Sequence, residues 1–142
     1  MILVLYGLSS KAQLGVYGNP IVISVTNPGV TTFVNSASNH IGFTNSLPIN
    51  SSPDVWYTFT LPSAADVSIS LCGSNFDSYL HLLDNNENVL YANDDSGPMC
   101  TSAASSLVEH LPAGTYYIVA EGYGTSIGFI SIDVRIAING TS

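Results

Sequence analysis

Positive charge is nearly missing from this chain. Lys11 and Arg135 stand against ten Asp and Glu in 142 residues, a formal net charge of -8. Two cations cannot neutralise a run of phosphates, which excludes nucleic acid as a partner. Charge of either sign is scarce: 8% of residues, against roughly 25% in an ordinary soluble domain. With 46% hydrophobic residues besides, the surface is left largely to Ser, Thr, Asn, Gly and Tyr, as suits an exported protein that touches polymers or copies of itself. Long apolar runs are absent too. Crossing a bilayer takes about 20 apolar residues, far more than Met1–Leu8 supplies, so no membrane span is expected. Helical periodicity is the last absence, since no window carries a 3.6-residue apolar stripe with caps.

Cysteine is limited to Cys72 and Cys100 in a chain rich in Ser, Thr and Asn, which fits an oxidising compartment. The spacing excludes a CxxC redox pair. We read the two as one disulfide, worth about 3–4 kcal/mol on the chain-entropy model; two buried free thiols are the alternative. Met1–Leu8 followed by Ser9, Ser10, Lys11, Ala12 and Gln13 looks like the tail of a secretory signal without its basic start. An extracellular or cell-surface location is expected.

What is present is period-2 alternation. In Gly128–Ile138, Ile130, Ile132, Val134, Ile136 and Ile138 share one face while Ser131, Asp133 and Arg135 share the other. Asp66–Cys72 repeats the pattern, with Val67, Ile69 and Leu71 inward. Further strands are expected over 21–25, 54–61, 78–84, 88–92, 105–110 and 115–121, separated by turn formers such as Leu111-Pro112-Ala113-Gly114. Strands at this spacing imply an all-β fold, an antiparallel β-sandwich of jelly-roll type. Residues 26–53 read as loop with one weak strand at most. The expected division is an N-terminal extension over 1–53, the sandwich over 54–138 and a tail over 139–142.

Few constellations point to chemistry. Gly124-Thr125-Ser126-Ile127-Gly128 matches the G-x-S-x-G nucleophile pattern, but the residues that follow are the cleanest strand in the chain, where an elbow needs a helix. His40, His81 and His110 share no metal-ligand spacing and read as ordinary surface or half-buried histidines. Asp77, Asp94 and Asp95 are the favoured calcium ligands, being hard carboxylates on expected loop ends; the competing reading is that such Asp and Asn residues only form turns, as Asp84-Asn85-Asn86 is expected to do. Trp56, Tyr117 and Tyr123 are a candidate binding face for sugar rings or peptide, although alternation assigns part of the aromatic set to the core.

Read together, Asp54-Val55-Trp56-Tyr57-Thr58-Phe59, Phe76-Asp77-Ser78-Tyr79-Leu80, Asn93-Asp94-Asp95-Ser96 and Leu111-Pro112-Ala113-Gly114-Thr115-Tyr116-Tyr117 resemble, in order and spacing, the bacterial pre-peptidase C-terminal domain family. The resemblance covers about Asp54 to Val134. It implies a non-catalytic jelly-roll sandwich of the kind found at the C-terminal ends of secreted peptidases and other exported bacterial proteins. Some relatives, the collagen-binding domains of clostridial collagenases, bind calcium partly through acidic residues in the segment leading into the sandwich. Here residues 1–53 contain no Asp or Glu, so only Asp77, Asp94 and Asp95 carry over.

Three functions compete. The first is a self-assembling subunit of an extracellular filament or surface layer, in which the front segment, through Ile2, Leu3, Val4, Leu5, Ile21, Ile23 and Val25, packs on a neighbouring copy as a donated strand. The second is an accessory module that binds a polymer such as collagen or a glycan. The third, a small hydrolase, has the least behind it.

Overall fold

The computed structural model describes residues 13–39, 42–47 and 51–139. Among them are nine strands and no helix: β1 (Ile21–Ile23), β2 (Gly29–Ser38), β3 (Val55–Leu61), β4 (Ala65–Ser70), β5 (Ser78–Leu83), β6 (Val89–Asn93), β7 (Ser106–Leu111), β8 (Gly114–Gly122) and β9 (Phe129–Ile138). They form a five-stranded sheet ordered β1-β3-β8-β5-β6 and a four-stranded sheet ordered β2-β9-β4-β7. The expected sandwich is present. Its core is built by alternation: Tyr57, Phe59 and Leu61 of β3, Leu80 and Leu82 of β5 and Ile118 of β8 meet Val67 and Ile69 of β4 and the isoleucines of β9, all within one buried cluster. Burying this much branched and aromatic surface is the dominant favourable term in holding the sheets together.

Three expectations need correction. Residues 26–53 are not loop with a weak strand, because β2 runs ten residues and pairs with β9 from Gly29↔Ile138 to Ser38↔Phe129. The sheets are not wholly antiparallel, because β1 lies parallel to β3. Nor are the described parts of 1–53 all separate from the sandwich, since β1 and β2 each lie in one of its sheets. Within the single chain, Ile23 is buried in the core, and Ile21 and Val25 pack against it. Ile2, Leu3, Val4 and Leu5 lie outside the described residues.

The five-stranded sheet is covered on both faces. On its outer face Leu47, Trp56, Leu83 and Val119 form a second buried cluster, with Tyr117 packed against it. This is why β3, β5 and β8 read as nearly continuous apolar runs while β9 alternates cleanly. The segment leading into β3 is stitched over this face by bonds from the backbone N–H of Ser46 and Leu47 to Asp54 Oδ2, at 2.5 and 2.6 Å.

Candidate functional site

The β5–β6 hairpin explains how distant carboxylates meet. Leu80 pairs with Asn93 and Leu82 with Tyr91, so Asp77 before β5 and Asp94 and Asp95 after β6 fall at the hairpin's open end. Its closed end is set by Asp84, whose Oδ1 accepts from the backbone N–H groups of Asn86 and Asn88 at 2.8 and 2.9 Å. The bonds from Asn88 and Asn86 hold the Asp84 carboxyl below its usual range, the backbone N–H of Asn88 contributing most. Asp84-Asn85-Asn86 thus makes the expected turn.

Asp77, Asp94 and Asp95 each offer an oxygen within 4.8 Å of the others. Calcium takes oxygens at about 2.3–2.6 Å, so two ligands of one ion lie at most about 5.2 Å apart, and this spread fits. Unlike Asp84, the cluster is not satisfied by its own backbone: Oδ1 of Asp77 and Oδ1 of Asp94 are shielded from solvent and have no hydrogen-bond partner among the described residues. Burial raises both carboxyls above their ordinary value. The Asp95 charge adds to each, and the Asp77 charge adds further to Asp94. Crowded, part-buried hard oxygens with unfilled acceptor capacity are relieved by a hard cation. The donor type and spacing of these residues fit calcium, which Asp77, Asp94 and Asp95 would hold between the entry to β5 and the segment after β6.

That segment is already anchored. Cys72 and Cys100 form the disulfide, closing a sequence separation of 28. Ser106 N–H donates to Asn93 Oδ1 at 3.0 Å, Ser96 N–H to the Ser102 carbonyl at 2.9 Å and Ser78 N–H to the Ala103 carbonyl at 3.1 Å. Gly97 is required here, because a Cβ would stand 2.3 Å from the Ser106 carbonyl oxygen.

The candidate aromatic face divides. Trp56 and Tyr117 lie together on the outer face with ring centroids 6.0 Å apart, although Trp56 is only 3% exposed. Tyr123 is elsewhere, stacked on Tyr79 at 6.2 Å, and Tyr79 in turn stacks on His81 at 4.5 Å. Leu83 pairs with Tyr117 and Tyr79 with Glu121, so the two aromatic groups sit about 13 Å apart along β5.

A buried polar cluster escaped the sequence reading. His81 and Glu121 are fully buried and joined by a 2.7 Å bond between Nε2 and Oε2. With Glu121 ionised, Nε2 must carry a proton. His81 Nδ1 and Glu121 Oε1 have no hydrogen-bond partner among the described residues. Asp54, also buried, is raised to about 6, chiefly by burial; bonds from the Leu47 and Ser46 N–H groups oppose the shift, the Glu121 charge adds to it, and the Trp56 indole lowers it slightly. The available signal was local: His81 and Glu121 sit in strands whose neighbours are apolar on both faces, leaving no wet side to receive them. His110 differs, being exposed and bonded to Asp66 at 2.7 Å. His40 lies outside the described residues.

Residues 55–122, which span β3 to β8 and include all three acids and both cysteines, match the model of the bacterial pre-peptidase C-terminal domain. No curated protein matches the chain. Among solved structures it is similar to Aeromonas hydrophila PliG, a periplasmic lysozyme inhibitor of g-type lysozyme, with a TM-score of 0.50 and 10% identity over 89% of this chain and 100% of that one. It is also similar to the pre-peptidase C-terminal domain of a collagenase from Bacillus anthracis (TM-score 0.47, 14% identity, 90% of this chain and 98% of that one). A third is the K1 cleaved adhesin domain of Lys-gingipain from Porphyromonas gingivalis W83 (TM-score 0.42, 13% identity, 78% and 99%). The segment from Val55 to Gly122 belongs to the bacterial pre-peptidase C-terminal domain family.

Proposed function

We propose that the protein is an exported, non-catalytic binding module, with a calcium ion at Asp77, Asp94 and Asp95 bracing its sandwich and an extracellular glycan or protein polymer as its partner. The observation that carries the reading is the pair of solvent-shielded, partnerless Oδ1 atoms on Asp77 and Asp94. Acids that merely form turns satisfy themselves, as Asp84 does. Export is supported by the Cys72–Cys100 bond. The non-catalytic half is supported by where the nucleophile and base candidates go. His81 is hidden against Glu121, and Ser126 lies in a turn, its N–H bonded to the Tyr123 carbonyl at 3.0 Å, that leads into β9 rather than into a helix.

Thermal unfolding with calcium and with chelator tests the brace. At about 100-fold excess over the dissociation constant, calcium should add about 2.7 kcal/mol, or about 9 °C in Tm for a chain of this length. Asp94→Asn should abolish the gain. A Tm that calcium does not move would remove the site.

Self-assembly into a filament or surface layer is the second reading. One observation favours it: among the described residues β2 pairs only with β9, and Val30 and Val34 on it are exposed.

A further inference from the structure

On the outer face of the five-stranded sheet, a cleft of about 180 Å³ is lined by Tyr17, Gly18, Pro20, Trp56, Glu87 and Tyr117. We infer that this cleft binds an alkylammonium group, such as a lysine side chain or a quaternary ammonium head. The inference rests on the binding-module reading above and gives that module a recognition site.

Tyr17 and Tyr117 both meet Trp56 edge to face, with centroids 5.1 and 6.0 Å away and ring planes at 70° and 69°. Tyr17 and Tyr117 therefore stand steeply to the largely buried indole and line the cleft with aromatic surface, which attracts a cation placed over a ring face. The fourth wall carries charge. Tyr17 OH donates to Glu87 Oε2 at 3.3 Å, a long bond that leaves the carboxylate able to take another donor. Glu87 has no cationic partner among the described residues; Arg135 lies on the other sheet, in β9, beside Asp66 and Ser68.

The turn holds Glu87 in place. Its N–H bonds to the Asp84 carbonyl at 3.0 Å, and its backbone is left-handed, with φ at 66°, a conformation that glycine or Asn would hold with less strain. The opposite wall is fixed as well, because Gly15 accepts a 2.7 Å bond from the backbone N–H of Trp56 and so seats Tyr17 beside the indole.

Size and polarity select the ligand. Drug-sized molecules take about 300–1,000 Å³, so this cleft suits a head group. A neutral sugar would need a ring of donors and acceptors, whereas the side chains here are aromatic apart from Pro20 and one carboxylate. The net charge of -8 further favours a cation.

Trp56 is the chain's one tryptophan, so its fluorescence reads the cleft directly. The full chain is titrated with choline, with Nα-acetyl-lysine N-methylamide and with the neutral isostere 3,3-dimethylbutan-1-ol. A saturable change is expected with at least one cation, at least about tenfold weaker with the alcohol. Preference for choline would identify a quaternary head as the source, and preference for the lysine derivative a protein. Glu87→Gln should weaken binding about tenfold. Tyr17→Phe, which keeps the ring and releases the carboxylate, should bind at least as well as the unmodified chain, while Tyr17→Ala should lose binding. Should Tyr17→Ala not fold, the two conservative variants carry the test.

Equal binding of the alcohol, an unchanged Glu87→Gln, or no saturable response to either cation would overturn the inference. Cation binding in a chain whose Tm ignores calcium would sustain this site and remove the calcium brace. Calcium stabilisation with no cation response would remove this site alone.

Discussion

Breaking the His81–Glu121 pair should be among the most costly single changes in the molecule. Both side chains are 0% exposed and joined at 2.7 Å, with one nitrogen and one oxygen already unpartnered. Removing either member strands the other as a buried polar or charged group, which typically costs about 3–5 kcal/mol. Unfolding entropy near 60 °C is about 2.1 cal/mol/K per residue, so for this chain about 1 kcal/mol moves Tm by between 3 and 4 °C. His81→Leu or Glu121→Leu should therefore lower Tm by about 10–17 °C. The double variant removes both buried polar groups, and should return to within about 1 kcal/mol of the parent or exceed it. Calorimetric unfolding of the four proteins provides the cycle. Single variants that lose less than about 3 °C, or a double variant whose loss equals the sum of the singles, would refute the argument.

Other consequences follow from the same buried face and from the core. Asp54 is raised from 3.8 to about 6, so the folded state binds its proton more tightly than the unfolded state does. Its contribution is complete below about pH 4 and is lost as pH rises through 6, at most about 3 kcal/mol relative to Asp54→Asn; urea midpoints for both proteins from pH 4 to 7 should diverge accordingly, and a pH-independent difference would contradict this. Tyr57 is wholly buried with an unpartnered hydroxyl, and burial pushes its phenol well up. Tyr57→Phe should be neutral or stabilising by about 1 kcal/mol, as read by denaturant unfolding, whereas a loss of that size would indicate a missed partner.

Strands with their own apolar code were legible in the sequence. β9 and β4 declare themselves by alternation, and Asp77, Asp94 and Asp95 could be named as carboxylates on expected loop ends, whereas the hairpin register that brings them together includes a shift between Leu82 and Leu83. β2 was not legible, because its inward residues are Thr31, Phe33, Asn35 and Ala37; its pairing with β9 defines it rather than its own hydrophobicity. The parallel place of β1 depends on a crossover that no local pattern encodes. The aromatic cleft needed the front turn to bring Tyr17 against Trp56, a long-range fact, whereas the burial of His81 and Glu121 was signalled by their apolar neighbours and only their pairing across β5 and β8 was long-range. Trp56, Tyr117 and Tyr123 could each be named from the sequence, yet only the sheet register separates the first two from the third.

The central claim, a module that binds a foreign polymer rather than building one from itself, is tested most directly by co-sedimentation of the purified chain with fibrillar collagen, chitin and cellulose in calcium. The account predicts that the chain alone stays in the supernatant and that at least one polymer carries it into the pellet, with chelator weakening that transfer. A chain that pellets alone as regular assemblies, or that none of the polymers retains, would contradict it.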